Sequence, residues 1–284
     1  MKDHSKISYT AILCAKALSY NPNIPFAKEI YQKIKEKKLH NGSRIQLSLA
    51  GLGARLFSGI GLIMAFIEAR YIGINKVLEK LGNPDVLELA SGVTPRGIEL
   101  SHKCNIIETD LKDLAKIKKE IISELNKNSF EIIPLNALDK KEFLAIGKKF
   151  SRKKPIAIVH SGLWTYLDKE EQIELTSNIK SFLQKYSPKG YWITPDIRPP
   201  SLLKNNFYRL YRKKITSRTG RPATRFNNEK ELNEFMSKAG FKVKSVSILD
   251  EIYNNLEIPK LFHLKKEDVF KQAQGMKIYI MTLK

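Results

Sequence analysis

The chain runs to 284 residues, 42% of them hydrophobic and 9% aromatic. That is enough apolar material for one sizeable core, and it suits one α/β domain or one domain plus an extension. Lys and Arg number 50 against 29 Asp and Glu, giving a net charge of +21. Such an excess favours polyanions (nucleic acid, an anionic membrane surface, an acidic substrate) unless it is simply spread over a solvated surface. The two cysteines, Cys14 and Cys104, lie far apart and outside any pairing motif. They argue against a disulfide framework or a cysteine-rich metal site and fit a reducing cytoplasm.

Met1 to Tyr9 is polar and charged and carries no apolar signal-peptide core. Helical spacing then marks Ser8 to Tyr20, Pro25 to Lys38 (Phe26, Ile30, Ile34) and Met64 to Leu81, before Gly82, Asn83 and Pro84 break the pattern. Between them, Leu47 to Ile67 is about long enough to span a bilayer. Arg55 in its middle would cost about 2.5 kcal/mol or more at that depth. With Gly51, Gly53, Gly59 and Gly61, it favours a buried segment or a substrate-facing cap. Residues 1–82 therefore read as an N-terminal helical cap.

From residue 83 to 284 short apolar runs alternate with helical stretches. Val86 to Ala90, Asn105 to Glu108, Phe130 to Pro134, Ile156 to His160 and Gly190 to Thr194 read as strands. Leu111 to Leu125 reads as a helix, and so does the run with Leu175, Ile179, Phe182, Leu183 and Tyr186 on one face. Asn228 and Glu231 resemble a capping box opening a helix from Glu229 to Ala239, which Gly240 ends. Lys242 to Leu249 and Lys277 to Leu283 supply two last strands. The expectation is a mostly parallel, doubly wound Rossmann-like sheet with an antiparallel edge strand.

The first strand runs into Glu88-Leu-Ala90-Ser-Gly92-Val-Thr-Pro-Arg96-Gly97, where small residues let a ligand approach the backbone at the carboxyl edge. The dinucleotide spacing GxGxxG is absent. Glu108-Thr-Asp110 ends the second strand, where an acidic side chain can accept two ribose hydroxyls. Asn136 and Ala137 follow the third strand, where an adenine amino group needs an acceptor. In this order on one edge, the residues describe a nucleoside pocket.

The pattern resembles the class I S-adenosyl-L-methionine-dependent methyltransferases, and within them the leucine carboxyl methyltransferase-like, small-molecule O-methyltransferase group. Ser8 to Ala11 resembles that family's opening helix, and Ala69-Arg70-Tyr-Ile-Gly73 its helix whose arginine holds the methionine carboxylate. Glu88 to Gly97 resembles its glycine loop, Ile107 to Asp110 its ribose-binding strand end, and Ser161 to Leu167 the segment after its fourth strand. The resemblance implies a cofactor site of Arg70, Glu88, Ala90, Gly92, Asp110, Asn136, Ala137 and Ser161, with Glu108 as an alternative to Asp110. Ser161 and Asn136 stand where the family has acidic residues. Arg96, by contrast, reads as a solvated side chain.

Methyl transfer is an in-line displacement from a sulfonium, so positioning dominates. A carboxylate acceptor is already ionised at neutral pH, whereas a hydroxyl or amine needs a base. His160 at the sheet edge is the candidate base, and Tyr166 and Trp164 are candidates for lining the acceptor pocket. The 197–228 insertion carries nine basic residues and no acidic one, interleaved with Phe207, Tyr208, Tyr211 and Phe226, which suits an anionic partner. The function expected is O-methylation of a small molecule or peptide by a cytoplasmic enzyme. A nucleic-acid methyltransferase or a non-catalytic binding protein is the alternative. Nucleic acid is the less favoured partner, since the Asn/Asp-Pro-Pro-aromatic motif is absent, and peripheral membrane contact is left open.

Overall fold

The computed structural model describes residues 8–37, 54–127, 129–196, 213, 226–273 and 277–284. Seven described strands form one sheet in the order β3-β2-β1-β4-β5-β7-β6. They are β1 (Asp85–Leu89), β2 (Ile106–Asp110), β3 (Glu131–Pro134), β4 (Ile156–His160), β5 (Tyr191–Thr194), β6 (Phe241–Val246) and β7 (Ile278–Leu283). All neighbours pair in parallel except β7, which runs antiparallel to both β5 and β6. The sequence expectation of a mostly parallel sheet with an antiparallel strand holds, although β7 lies inside the edge and β6 forms it.

Successive side chains of a strand point to opposite faces, and here both faces are buried. Leu87, Leu89, Ile107, Ile156, Ile158 and Trp192 face one layer of helices: α6 (Lys140–Ile146), α7 (Lys169–Tyr186) and α8 (Glu229–Lys238). Val86, Ile106, Ala157, Val159 and Ile193 face the other, where α3 (Ala54–Lys80) supplies Ala69, Ile74, Val77 and Leu78. The turn at Gly82 (φ 79°) and Asn83 (φ 52°) is where the sequence breaks, yet α3 shares its core with the strands. The helix α3 also begins earlier than its periodicity implies. Of the apolar stretch from Leu47, residues 47–53 lie outside the described residues, and the remainder is helix with Ile63, Met64, Ala65 and Ile67 buried. Among the described residues, no helix is long and apolar enough to cross a membrane.

Helices α1 (Ser8–Leu18) and α2 (Ala27–Glu36) lie over the loop after β1. Ala15, Ile30 and Ile34 pack with Val93 of that loop and with Ile121 and Ile122 of α5 (Lys112–Glu124). The short α4 (Arg96–Leu100) follows the loop. Between β6 and β7 the chain makes three short helices, α9 (Leu249–Ile252), α10 (Ile258–Leu261) and α11 (Lys266–Ala273). Because β6 parallels β5, this excursion leaves from the carboxyl edge, and Ile258 packs there with Ala17 of α1 and Ile63 to Ala65 of α3. The strand expected to reach Leu249 stops at Val246, since Leu249 is buried as the first residue of α9. At the start of α8 only half of the expected box forms. The Asn228 side chain accepts Glu231 N–H at 2.9 Å, but Glu231 accepts from Asn227. The basic 197–228 segment lies outside the described residues apart from Lys213 and 226–228.

Candidate functional site

Strand β1 ends at Leu89 because the chain turns left-handed at Ala90 (φ 50°) and again at Gly92 (φ 58°). A side chain at Gly92 would be strained in that conformation, and its Cβ would stand 3.2 Å from the Ala11 Cβ of α1. The loop is tied to β2. Gly92 N–H donates to Asp110 Oδ2 at 2.8 Å, Leu111 N–H donates to Oδ1 at 2.8 Å, and Ser91 N–H donates to the Thr109 carbonyl. Burial raises the Asp110 carboxyl, and the two N–H groups work against that rise. With an exposure of 8%, Asp110 keeps a small opening at the carboxyl edge, where the sequence expects ribose.

Glu88 and Glu108 have a different place. Their parity on the strands turns them to the α3 face, directly opposite one another in register. Glu88 accepts Arg96 Nε–H at 2.9 Å, and Glu108 pairs with Lys118 at 2.6 Å while accepting Gly97 N–H. Glu88 thus departs from the expected cofactor ligand: it is a buried ion-pair partner beneath the loop, with Oε1 engaged by Arg96 and Oε2 buried with no hydrogen-bond partner among the described residues. The same holds for Glu108 as an alternative ribose ligand. Arg96 is corrected as well. Only 1% exposed, it lies over the Tyr71 ring at 4.5 Å and reaches Asn75, so it is part of the core. Burial, with Glu88 adding like charge and Lys118 opposing, pushes the Glu108 carboxyl up to about 7.

A second cluster gathers where β4 and β5 end. Asp196 is buried and accepts Gly162 N–H at 2.7 Å on each oxygen, and its Oδ2 lies 3.0 Å from His160 Nδ1. The His160 Nε2 accepts Trp192 Nε1–H at 2.9 Å, which places the imidazole proton on Nδ1, donating to Asp196. Arg70, on α3, brings Nη1 to 3.6 Å from Asp196 Oδ1 and lies 5.1 Å over the Phe66 ring. Its Nε is buried and has no hydrogen-bond partner among the described residues. Burial alone would raise the Asp196 carboxyl, but the His160 hydrogen bond, Arg70 and Gly162 N–H together hold it below the ordinary carboxylate range. His160 is corrected from a candidate base: its ring has no exposure and both nitrogens are engaged.

Helix α1 connects the two clusters. Ala11 meets Gly92, Thr10 shares a hydrogen bond with Tyr166, and Cys14 lies in the fields of Arg70 and Asp196, its thiol pushed up by burial. Burial likewise pushes the Tyr166 phenol up to about 12. Trp164 departs from its expected place in an acceptor pocket, being wholly buried between Trp192, Phe226 and Phe235. Asn136 accepts Leu138 N–H on Oδ1 at 3.1 Å, which leaves a second lone pair on that oxygen and the amide NH2 as a donor beside the acceptor the sequence implied. The Ala137 carbonyl accepts from Asn178, and Ser161 is half-buried after β4. Asp196 was not legible as a site residue. Its only signal was a charge ending a buried strand just before the basic segment. No group of three His, Cys, Asp or Glu among the described residues could hold a metal.

A doubly wound sheet of this order, with a small-residue loop after β1 and an acid closing β2, is the Rossmann-like fold of the class I methyltransferases. Solved structures of that fold resemble the chain over most of its length. An O-methyltransferase family protein from Burkholderia thailandensis shares 12% identity at a TM-score of 0.51, covering 89% of this chain and 72% of its own. A SAM-dependent methyltransferase from Anabaena variabilis shares 10% identity at a TM-score of 0.50, covering 82% of this chain and 96% of its own. No family model and no curated protein matches the sequence.

Proposed function

We propose that the chain is an S-adenosyl-L-methionine-dependent O-methyltransferase acting on a small molecule or peptide, of the leucine carboxyl methyltransferase-like kind. One observation carries the reading: the Gly92 loop, pinned by Asp110, and the Arg70 Nε, unpartnered among the described residues, share the carboxyl edge beneath α1. The residues fit the cofactor. The Asp110 oxygens retain lone pairs for ribose hydroxyls after accepting two N–H groups, and a guanidinium with a spare N–H suits a carboxylate. The Asn136 amide suits a ring nitrogen of adenine, with Ala90 and Ala137 leaving room beside it and Ser161 offering a hydroxyl after β4. The neighbouring folds from Burkholderia and Anabaena are both methyltransferases by name.

When bound, the cofactor supplies a sulfonium methyl that an in-line nucleophile can take. The chain's own part is to bind, orient and exclude water. With His160 enclosed and the Tyr166 phenol held near 12, Tyr166 is a neutral donor at physiological pH. That favours an acceptor which arrives ionised, a carboxylate, and a net charge of +21 favours the same anion. Two free cysteines fit a reducing, cytoplasmic setting. Calorimetry with S-adenosylhomocysteine, then radiolabelled methyl transfer to carboxylate metabolites, peptides and RNA, tests the reading. Low-micromolar binding and base-labile methyl esters are expected. No heat and no thermal shift at saturating S-adenosylhomocysteine would falsify it.

A further inference from the structure

Resting on the cofactor reading above, we infer that Asp196 and His160 are positioning residues that hold the Arg70 guanidinium in place for the amino-acid tail of the ligand. Arg70 has a long side chain with many rotamers, and fixing it at a site costs entropy unless something anchors it. Asp196 is that anchor, 3.6 Å from Nη1 and fixed by two contacts to Gly162 N–H. His160 sets the carboxylate from behind, and the Trp192 indole sets His160, so the chain of contacts ends in the core of the sheet. The Thr194 hydroxyl lies 3.1 Å from His160 Nδ1 and accepts Asp196 N–H, closing the ring.

The anion also decides where Arg70 lies. A guanidinium whose side chain is only 15% exposed needs a counter-charge, and without one it would extend outward to water. Asp196 engages one terminal nitrogen and leaves Nε, buried and unpartnered among the described residues, for a second acceptor. The acceptor that fits is a carboxylate on a ligand whose remainder lies along the Gly92 loop, since α1 spans both places. The acid expected after β4, where Ser161 stands, is thereby supplied from the end of β5.

The test compares S-adenosylhomocysteine with 5′-methylthioadenosine, which has the nucleoside but no amino-acid tail. Asp196→Asn should weaken the first at least about tenfold and leave the second within about twofold. On an Arg70→Ala background it should change neither further. Two variants of His160 keep the test decisive if Asp196→Asn does not fold. His160→Asn retains a donor at the Nδ1 position and should bind the tailed ligand nearly as wild type does. His160→Gln, which reaches only the Nε2 position, should lose tail discrimination. Equal losses for both ligands would mark Asp196 as merely structural and overturn the inference, as would unchanged or tighter binding of the tailed ligand. Wild type that binds the tailless ligand as well as the tailed one overturns it too, leaving the nucleoside pocket standing. Wild type that binds neither overturns both readings.

Discussion

Gly92 combines a left-handed backbone with a 3.2 Å approach to Ala11, so any side chain there displaces either the loop or α1. Gly92→Ala should weaken S-adenosylhomocysteine measurably, and Gly92→Asp should abolish binding, because it also sets a second carboxylate beside Asp110. Calorimetry on folded variants checks both, and full affinity in Gly92→Asp would show that no ligand passes this loop. Beneath it, Glu108 gives a pH signature. Its carboxyl, raised to about 7 in the folded chain, binds a proton more tightly than in the unfolded chain. Stability from this group is therefore full below the unfolded carboxylate range and is lost as pH rises towards 7. Glu108→Gln should flatten the fall in melting temperature between about pH 4.5 and 7, and an unchanged slope would refute the assignment. These buried carboxylates also show where single residues escape sequence reading. Leu87 and Leu89 fix the parity of Glu88, but in a sheet covered on both faces the opposite side is core as well. A polar residue in such a strand then signals a buried partner as readily as a ligand edge. Nothing in the spacing of Glu88 and Arg96 distinguishes the two.

At the scale of elements, one carboxylate fixes the β6–β7 excursion onto the N-terminal helices. Glu68 of α3 is buried and accepts Asn21 Nδ2–H at 2.7 Å, Glu257 N–H at 2.8 Å and Ile258 N–H at 3.1 Å. Removing a charged acceptor leaves the Ile258 and Glu257 N–H groups without it and leaves Asn21 Nδ2 only the Asn255 carbonyl, and each buried donor left unsatisfied costs about 1–3 kcal/mol. Glu68→Ala should cost about 3 kcal/mol or more, with hydrogen exchange rising first around 255–262, whereas Glu68→Gln should cost much less. Uniform destabilisation without faster local exchange would show that the excursion is held by its apolar contacts alone. No signal for this latch exists in the sequence, because its partners lie 47 and about 190 residues away. The elements it joins are legible to different degrees for a related reason. The strand β4 and the helices α5 and α8 fall within a residue or two of their expected bounds, and α7 buries the expected face, since each presents an unbroken period. The helices α4, α9 and α10, of four or five residues, are too short to repeat a face, and Leu249 was absorbed into the preceding strand pattern.

Over the whole molecule the charge is unevenly spread along the chain. The 197–228 segment holds nine basic residues and no acid, so a short stretch carries a large share of the net +21. In sequence it begins directly after Asp196, which belongs to the candidate site. Acidic partners such as Glu124 for Lys37 and Glu251 for Lys80 neutralise lysines elsewhere, but the segment has none within itself. The proposal that an external anion supplies the counter-charge can be tested directly. Reversing Arg212, Lys213 and Lys214 to Glu takes the net charge to about +15 by simple charge counting. Reversing the exposed Lys153, Lys169 and Lys242 does the same elsewhere, which makes a control of equal charge. If the segment recognises anions as a unit, the first variant should leave a heparin column at distinctly lower salt than the control. Its methyl transfer to an anionic acceptor should also fall at low ionic strength. Both differences should shrink as salt rises, because exposed charges are screened over about 8–10 Å. S-adenosylhomocysteine affinity should be the same in the two variants, since neither alters Arg70, Gly92 or Asp110. Identical elution of the two triple variants would instead mean that the positive charge acts as a diffuse surface property, with no recognition located beside the sheet edge.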